Sequence, residues 1–228
     1  MTVRPFHRLA VVNRGEAAMR LIHAVREINE TRAEPIVVIA LYTVPERQAM
    51  FVRHADEAYC LGPATAIGAD GRRLNGYLDH AALERALVAT RADAVWPGWG
   101  FVAEDPDFVD LCERLDIVFV GPSARAMRRL GDKIEAKRLA TATGVPVAPW
   151  SGGPVAGLED AERHALEIGF PLMVKAAAGG GGRGIRRVDG PDELAPALAS
   201  ARAEAHDAFG DDTVFMERLV TPARHIEV

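Results

Sequence analysis

A lysine and a run of glycines are the residues most suggestive of chemistry in this chain. They lie in residues 174–188, VKAAAGGGGRGIRRV, where Lys175 precedes four consecutive glycines and Arg183 follows them. Glycine loses more backbone entropy on folding than any other residue, so such a run indicates that another group must approach the backbone closely. Bare N–H groups beside an ammonium and a guanidinium can bind phosphate oxygens. The stretch therefore favours a flap over a polyphosphate.

The glycine run fits two better-known phosphate motifs poorly. Gly179, Gly181 and Gly184 satisfy the spacing G-x-G-x-x-G, but a dinucleotide fingerprint needs a helix directly afterwards, and IRRV has β-type composition. A Walker A site fails because no Gly-Lys-Ser/Thr follows. A hairpin between antiparallel strands, like the glycine loop of protein kinases, fits better. A plain flexible hairpin or linker stays open as an alternative.

Three further features raise the weight of nucleotide binding. Lys133 follows Gly131 in GDKIEAK, FMERLV is a strand whose exposed main chain could pair with an adenine edge, and His225 follows on the next segment. Taken singly, they could be a solvated lysine, an ordinary strand and a surface histidine, respectively. In this order, together with the glycine run, they match one known arrangement.

Composition excludes several classes of function. The 228 residues carry 27 basic and 32 acidic side chains, a net charge of −5, which disfavours nucleic-acid binding. The longest apolar run, residues 36–42, is too short for a membrane span, and the polar NRGE comes too early for a secretory h-region, so we expect no secretory leader. Cys60 and Cys112 lack metal-type spacing. We therefore expect a cytoplasmic protein with two inert thiols.

Strands and helices alternate through the first half of the chain. Wholly apolar runs separated by helical patterns predict an α/β fold with a parallel sheet covered on both faces. Ligands approach such sheets at the carboxyl ends of the strands, so the corners NRGE, PGWGF and GPS are candidate site walls. The organisation changes after Gly121, where SARAMRRL and DKIEAKRLATAT predict two helices with a break at Gly131, and we place a boundary near residue 130.

The second half has a different order of elements. The pattern predicts a helix over 158–168, strands over 171–176 and 185–188 on either side of the glycine run, a helix over 191–206 and a strand over 213–220. The sequence ends in RHIEV with no turn, cap or polar tail, so we expect it to be part of a longer polypeptide.

Several blocks of this sequence occur in the order and spacing of one family. The chain resembles biotin carboxylase, the ATP-grasp component of biotin-dependent carboxylases, over essentially its whole length. The blocks that carry the resemblance are NRGEAAMR, ADEAYCLG, PGWGF, FVGPSARAMRRLGDKIEAK, GVPVAPW, GFPLMVKAAAGGGGRGIRRV and MERLVTPARHIEV.

The resemblance implies a fold and a division into domains. It implies a Rossmann-like, parallel-sheet pre-ATP-grasp domain over residues 1–120. An incomplete ATP-grasp domain is then expected over 121–228, with a small lid subdomain at about 133–206.

The resemblance also implies roles for individual residues. Lys133 and Lys175 look like the phosphate-binding lysines of the family, and His225 looks like its nucleotide-contacting histidine. The expected flap is Gly180, Gly181 and Gly182, with Arg183 beside it. The expected hinge strand, whose backbone meets the adenine, is Glu217, Arg218, Leu219 and Val220. The expected substrate-side wall contains Gly98, Gly100 and Glu104.

The reaction implied is ATP-dependent activation of bicarbonate to carboxyphosphate, followed by carboxylation of biotin held on a carrier domain. The implied cofactors are ATP, Mg²⁺ or Mn²⁺, and the carrier's biotin. The implied partners are bicarbonate, the biotin carboxyl carrier domain, a carboxyltransferase component and a second subunit in a homodimer. The family's catalytic and metal-binding residues lie beyond Val228, so we expect no turnover from this chain alone.

Some positions depart from the family pattern. Trp96 and Trp99 replace the usual His and Tyr before the retained Glu104, while Ala103 and Asp105 replace Ser and Asn. The tryptophan rings are expected to pack the strand end, and they leave the details of the biotin-side wall open. His23 occupies a position where relatives often carry a basic dimer-contact residue.

Two other functions remain open at this point. One is another ATP-grasp ligase, of the carbamoyl-phosphate or purine-pathway synthetase type, against which NRGE together with GGGGRG argues. The other is a non-catalytic nucleotide-binding or subunit-assembly module. A downstream Glu-x-Asn-x-Arg and a biotin-acceptor Met-Lys-Met would favour the carboxylase.

Overall fold

The structure of the protein is a computed structural model. It describes residues 4–67, 71, 73–178, 183–224 and 226.

The chain divides into two compact units, Met1–Arg128 and Arg129–Val228. Helix and strand alternate through the first unit, with three short 3₁₀ segments at Val44–Glu46, Gly76–Leu78 and Phe101–Glu104. Its elements are β1 (Arg8–Val11), α1 (Gly15–Asn29), β2 (Val37–Thr43), α2 (Met50–His54), β3 (Glu57–Gly62), β4 (Thr65–Ile67), β5 (Arg73–Asn75), α3 (His80–Thr90), β6 (Ala94–Trp96), α4 (Pro106–Arg114) and β7 (Val118–Phe119). Helix α5 (Ala124–Gly131) follows, and the division between the units falls within it.

A five-stranded parallel sheet in the order β3-β2-β1-β6-β7 forms the centre of the first unit. Successive side chains of each strand point to opposite faces. In β2, Val38 and Ala40 pack in one buried cluster with Ile22 of α1, and Ile39 packs in the other with Leu83 of α3. Both faces are covered, which explains why β2 is apolar throughout rather than alternating.

Asn13 ties the ends of β1 and β6 together. Its side chain is buried, and its Nδ2 donates to the carbonyls of Pro97 at 2.7 Å and Trp99 at 2.9 Å. Its Oδ1 accepts from the amide of Arg14 at 2.8 Å. A buried amide with all these partners is costly to remove, because its partners then lose their hydrogen bonds. Asn13 thereby fixes two of the predicted wall loops relative to each other.

The second unit is built on an antiparallel sheet. Its elements are α6 (Lys133–Ala142), α7 (Leu158–Ile168), β8 (Leu172–Ala176), β9 (Ile185–Val188), α8 (Pro191–Phe209) and β10 (Val214–Arg218). The three strands have the order β10-β8-β9. Helices α7 and α8 cover one face, where alternate residues of β8 are fully buried. The intervening residues of β8 lie on the other face, which holds the polar side chains.

The fold class predicted from the sequence is confirmed. The glycine run lies between β8 and β9, which pair antiparallel as expected. Strand β9 has the predicted bounds, whereas β8 and β10 are shorter than predicted, by one and three residues. The small hairpin of β4 and β5 and the short helix α2 were not predicted. Each of these three elements has at most five residues, which is too few for a recognisable hydrophobic period.

The role of Asn13 predicts a loss of stability on truncation. Asn13→Ala should lower the free energy of unfolding by about 1–3 kcal/mol, because two carbonyls and one amide lose a buried partner. Gln48→Ala, at an exposed position, is the control and should change it by less than about 0.5 kcal/mol. Urea unfolding followed by far-UV circular dichroism measures both. Equal effects in the two variants would contradict the account.

Candidate functional site

Lys175 and Glu217 lie on the open face of the second unit's sheet. In the antiparallel register, Phe215 lies opposite Lys175, and Glu217 lies opposite Met173. Lys175 and Glu217 are therefore diagonal neighbours on the same face, within reach for long side chains. The Lys175 ammonium forms an ion pair with Oε1 of Glu217. The sheet register thus brings a predicted phosphate lysine onto a carboxylate.

A second lysine binds the other oxygen of the same carboxylate. Nζ of Lys137, on α6, lies 2.6 Å from Oε2 of Glu217. The same ammonium lies 5.6 Å from the centre of the Trp150 ring, a cation–π distance. Trp150 packs edge-on against Phe215, with ring centres 6.3 Å apart. Helix α6 is thereby attached to the open face of the sheet through both charge and aromatic contact.

Lys133 begins α6 and lies close to Lys175. The helix is capped by Asp132, whose Oδ1 accepts from the amides of Ile134 at 2.8 Å and Glu135 at 3.0 Å. Nζ of Lys133 donates to the carbonyl of Ala176 at 3.2 Å. Burial and the positive charge of Lys175 lower the pKa of Lys133. An anion placed between these two ammonium groups would relieve their repulsion.

Glu217 is held ionised by its two lysines. Burial disfavours the charged form, but hydrogen bonds from Lys137 and Lys175 outweigh it and lower the pKa of Glu217. We call Lys133, Lys137, Lys175 and Glu217 the lysine cluster. Three positive charges and one negative charge give the cluster an excess of two positive charges, which suits a polyphosphate.

The lysine cluster contains every lysine of the sequence. Of the 27 basic residues, Lys133, Lys137 and Lys175 are the lysines, and the other 24 are arginine. An ammonium is a compact point charge that can move between partners, whereas a guanidinium is a planar fork. The chain therefore places lysine only where the sheet face and α6 meet.

The main chain of β10 is paired along both edges. Strand β8 occupies one edge, and the segment 149–155 occupies the other. The amide of Ser151 donates to the carbonyl of Met216 at 2.9 Å, and the amide of Arg218 donates to that of Pro149 at 2.8 Å. The expectation of an exposed strand main chain is therefore wrong for β10 itself.

The predicted hinge residues at the end of β10 make different contacts from one another. The Arg218 guanidinium donates to the carbonyl of Ile168 at 3.1 Å, at the end of α7 and not towards the lysines. The amide of Leu219 donates to the carbonyl of Pro171 at 3.1 Å, and Val220 is exposed. Of the four predicted hinge residues, Glu217 is the one whose side chain lies in the lysine cluster.

The end of the glycine run is fixed against α8. Gly184 has φ +66°, its amide donates to Oε2 of Glu204 at 3.0 Å, and its carbonyl accepts from Ala176 at 2.8 Å. A Cβ at Gly184 would lie 2.7 Å from that of Ala176, so glycine is required there. Arg183 is exposed beside Arg186, on a surface cavity of about 490 Å³. The predicted site residues outside the described part of the chain are Gly180, Gly181, Gly182 and His225.

The predicted substrate-side wall lies in the first unit. The loops after β1 and β6 border a cavity of about 930 Å³, on which the Trp99 ring is exposed. Gly98 has φ +64°, and a Cβ there would lie 2.7 Å from the Trp96 ring. Gly100 also has positive φ, and Glu104 is an exposed residue at the end of a 3₁₀ segment. The role of these three residues stays a prediction.

Both halves of the chain match known protein families. Residues 5–127 match the family described as "Biotin carboxylase, N-terminal domain", and residues 132–228 match "Carbamoyl-phosphate synthase L chain, ATP binding domain". The chain belongs to the biotin carboxylase family.

Relatives in this family are similar over nearly the whole chain. Biotin carboxylase 1 of Bacillus subtilis is 38% identical over 221 residues, which are 97% of this chain and 46% of that protein. The crystal structure of a biotin carboxylase–β-γ-ATP complex from Campylobacter jejuni matches with a TM-score of 0.82 at 38% identity. The match covers 95% of this chain and 46% of the Campylobacter chain.

A structure from Hydrogenobacter thermophilus is also similar. It is the biotin carboxylase domain dimer of 2-oxoglutarate carboxylase, in complex with MgADP, ADP and bicarbonate. Its TM-score is 0.79 at 37% identity, and the match covers 96% of this chain and 45% of the Hydrogenobacter chain. The chain spans about half the length of the relatives it matches.

The sequence prediction did not include Lys137 or Trp150. Two signals were available. Lys133 and Lys137 are four residues apart on a predicted helix and so share a face. The scarcity of lysine elsewhere in the sequence also singles out Lys137.

The described residues contain neither a metal-binding cluster nor a membrane-spanning helix. No group of three or more His, Cys, Asp or Glu side chains in that part of the chain could hold a metal ion. No helix among those residues is long and apolar enough to cross a membrane.

The lowered pKa of Glu217 predicts a pH dependence of stability. Because the folded pKa lies below the unfolded value of about 4.3, the unfolded state binds more protons in this range. The stabilising contribution is therefore present above about pH 5 and is lost as the pH falls through the folded pKa.

Glu217→Gln should flatten this acid dependence. Denaturant unfolding between pH 3 and pH 7 measures it, with Glu159→Gln, at an exposed position of α7, as the matched control. Parallel curves for wild type and Glu217→Gln would contradict the account.

Proposed function

We propose that this chain binds ATP on the lysine-bearing face of its second unit and forms the N-terminal part of a biotin carboxylase. The observation that carries the proposal is the lysine cluster, in which two ammonium groups share a single carboxylate and a third donates to the neighbouring Ala176 carbonyl. An enclosed excess of positive charge on a sheet face is suited to a triphosphate. Its family membership and the β-γ-ATP and MgADP complexes named for its relatives support the same ligand.

The proposed nucleotide site assigns each predicted residue a task. Lys133 and Lys175 bind phosphate oxygens as point charges. Gly180, Gly181 and Gly182, with Arg183, cover the phosphates and keep water away from them. The main chain where the chain leaves β10, from Arg218 to Val220, meets the adenine, while Glu217 contributes its side chain, and His225 contacts the nucleotide. Residues 133–206 act as a lid subdomain within an ATP-grasp domain that begins at about residue 121.

The proposed reaction is the activation of bicarbonate by ATP. A bicarbonate oxygen attacks the γ-phosphorus, the bond to the β-phosphate oxygen breaks, and ADP leaves, giving carboxyphosphate. The carboxyl group then passes to a nitrogen of biotin on a carrier domain, with release of phosphate and of the proton from that nitrogen. Carboxyphosphate reacts readily with water, so closure over the phosphates protects it. The wall of Gly98, Gly100 and Glu104 is assigned to the substrate side.

No cluster of three or more His, Cys, Asp or Glu side chains in the described part of the chain could hold a metal ion by itself. Mg²⁺ is usually bound through one or two carboxylates together with the phosphates of its substrate. Since the relatives are about twice as long, we assign metal binding and turnover to the complete enzyme.

The proposed partners follow from the relatives. The dimer and the bicarbonate named for the Hydrogenobacter structure support a homodimer and a bicarbonate substrate. A biotin carboxyl carrier domain and a carboxyltransferase component complete the assembly. The free thiols of Cys60 and Cys112 support a cytoplasmic location, because cytosolic thiols stay reduced.

A second candidate is a carbamoyl-phosphate-type ATP-grasp ligase. The family description matched by residues 132–228 favours it. It would also activate bicarbonate with ATP but would use ammonia or an amine in place of biotin. Bicarbonate-dependent ATP hydrolysis that is stimulated by free biotin, and not by ammonium, supports the carboxylase.

The proposal predicts the effect of removing Lys175. Lys175→Met in the complete enzyme should lower bicarbonate-dependent ATP hydrolysis by about 10²–10³-fold, because a preorganised charge on the phosphates is lost. Arg187→Met, on the exposed side of the neighbouring β9, removes the same charge outside the lysine cluster and should leave the rate within about twofold. Release of phosphate measures both. Near-normal turnover of Lys175→Met would overturn the assignment.

A further inference from the structure

Lys137 has no assigned task in the proposed nucleotide site, although its position resembles that of the two lysines that have one. Its side chain is 19% exposed, and that of Glu217 is 13% exposed, so their ion pair is largely shielded from water. Lys137 is also one of only three lysines in a chain with 27 basic residues. An arginine at this position of α6 would serve a surface role equally well, as Arg138 does beside it.

The ion pairs around Glu217 pose a problem for phosphate binding. Lys175 is bound to Oε1 of Glu217, so this carboxylate competes with a phosphate oxygen for the Lys175 ammonium. A carboxylate left alone in a half-buried place is costly, and it would hold Lys175 back. Lys137 on Oε2 removes this cost, because Glu217 keeps one ammonium partner when the other moves.

The contact with Trp150 keeps Lys137 in place. The ammonium lies 5.6 Å from the ring centre, and Trp150 is itself bridged to Glu217 through the main chain. The ring therefore holds the charge of Lys137 beside Glu217 whether or not Lys175 is present. Lys133 favours the state in which Lys175 binds a phosphate, since the repulsion between Lys133 and Lys175 is relieved when an anion binds between them.

We propose that Lys137 is a positioning residue of the nucleotide site: it retains the Glu217 carboxylate, so that the Lys175 ammonium can pass from Glu217 to a phosphate oxygen. The proposal rests on the proposed function, because it needs a phosphate-bearing nucleotide at Lys175. Lys137 acts through Glu217 and not by touching the nucleotide.

ADP and adenosine are the probes that test this role, with binding to the purified protein measured by isothermal titration calorimetry. Lys137→Met should weaken ADP binding by about tenfold, since Glu217 then holds Lys175. Adenosine binding should change by less than about twofold, because adenosine has no phosphate to draw Lys175 away. Lys137→Arg keeps a charge on Glu217 and should retain most of the ADP affinity.

The double variant Lys137→Met/Glu217→Gln separates positioning from structural support. Once the carboxylate is neutral, Lys137 has nothing to retain, so the further loss of ADP affinity from Lys137→Met should fall below about twofold. Arg138→Met removes the same charge from the adjacent, half-exposed position of α6 and is the matched control. Circular dichroism and thermal unfolding establish that each variant is folded, and Lys137→Gln serves as a second truncation.

Four outcomes would overturn the proposal. ADP affinity of Lys137→Met equal to that of Arg138→Met would remove any special role of Lys137. An undiminished tenfold loss in the Glu217→Gln background, or an equal loss for adenosine, would make Lys137 a structural support of α6. Absence of ADP binding by the wild-type protein would overturn the proposed function itself, and the proposal with it.

Discussion

One carboxylate shared by two ammonium groups is the interaction on which the candidate site depends. Lys175 and Lys137 occupy the two oxygens of Glu217, and Lys133 adds a third positive charge next to Lys175. Without Glu217 the three like charges would repel one another in a partly buried place. With it, the face keeps an excess of positive charge that a polyphosphate can neutralise. Glu217 therefore reduces the repulsion within the folded cluster and still leaves the positive charge that binds an anion.

The fold supplies this arrangement through simple geometry. Alternation along β8 sends Val174 into the core with α7 and α8 and sends Lys175 to the open face. The antiparallel register then places Glu217 diagonally beside Lys175. Helix α6 contributes Lys133 and Lys137 one turn apart, so both reach the same face. Each element is ordinary, and the site follows from their register.

The sequence predicted the elements of the fold better than the contacts of the site. Lys175 and Lys133 could be identified because glycine runs and helix starts are local patterns. The Glu217 ion pairs could not, because register between strands about 40 residues apart is not a local property. The same limit explains β10, whose second edge is occupied by the segment around Ser151, from a distant part of the chain.

Carbon-13 nuclear magnetic resonance of the protein after reductive methylation of its lysines tests the shared carboxylate most directly. Methylation keeps the charge, and only three lysine side chains and the chain terminus carry the label. The account predicts that Glu217→Gln shifts two of the lysine signals, Lys137 and Lys175, and that ADP shifts Lys133 and Lys175 while Lys137 stays close to its original position. Three signals that resemble free lysine and respond to neither change would contradict it.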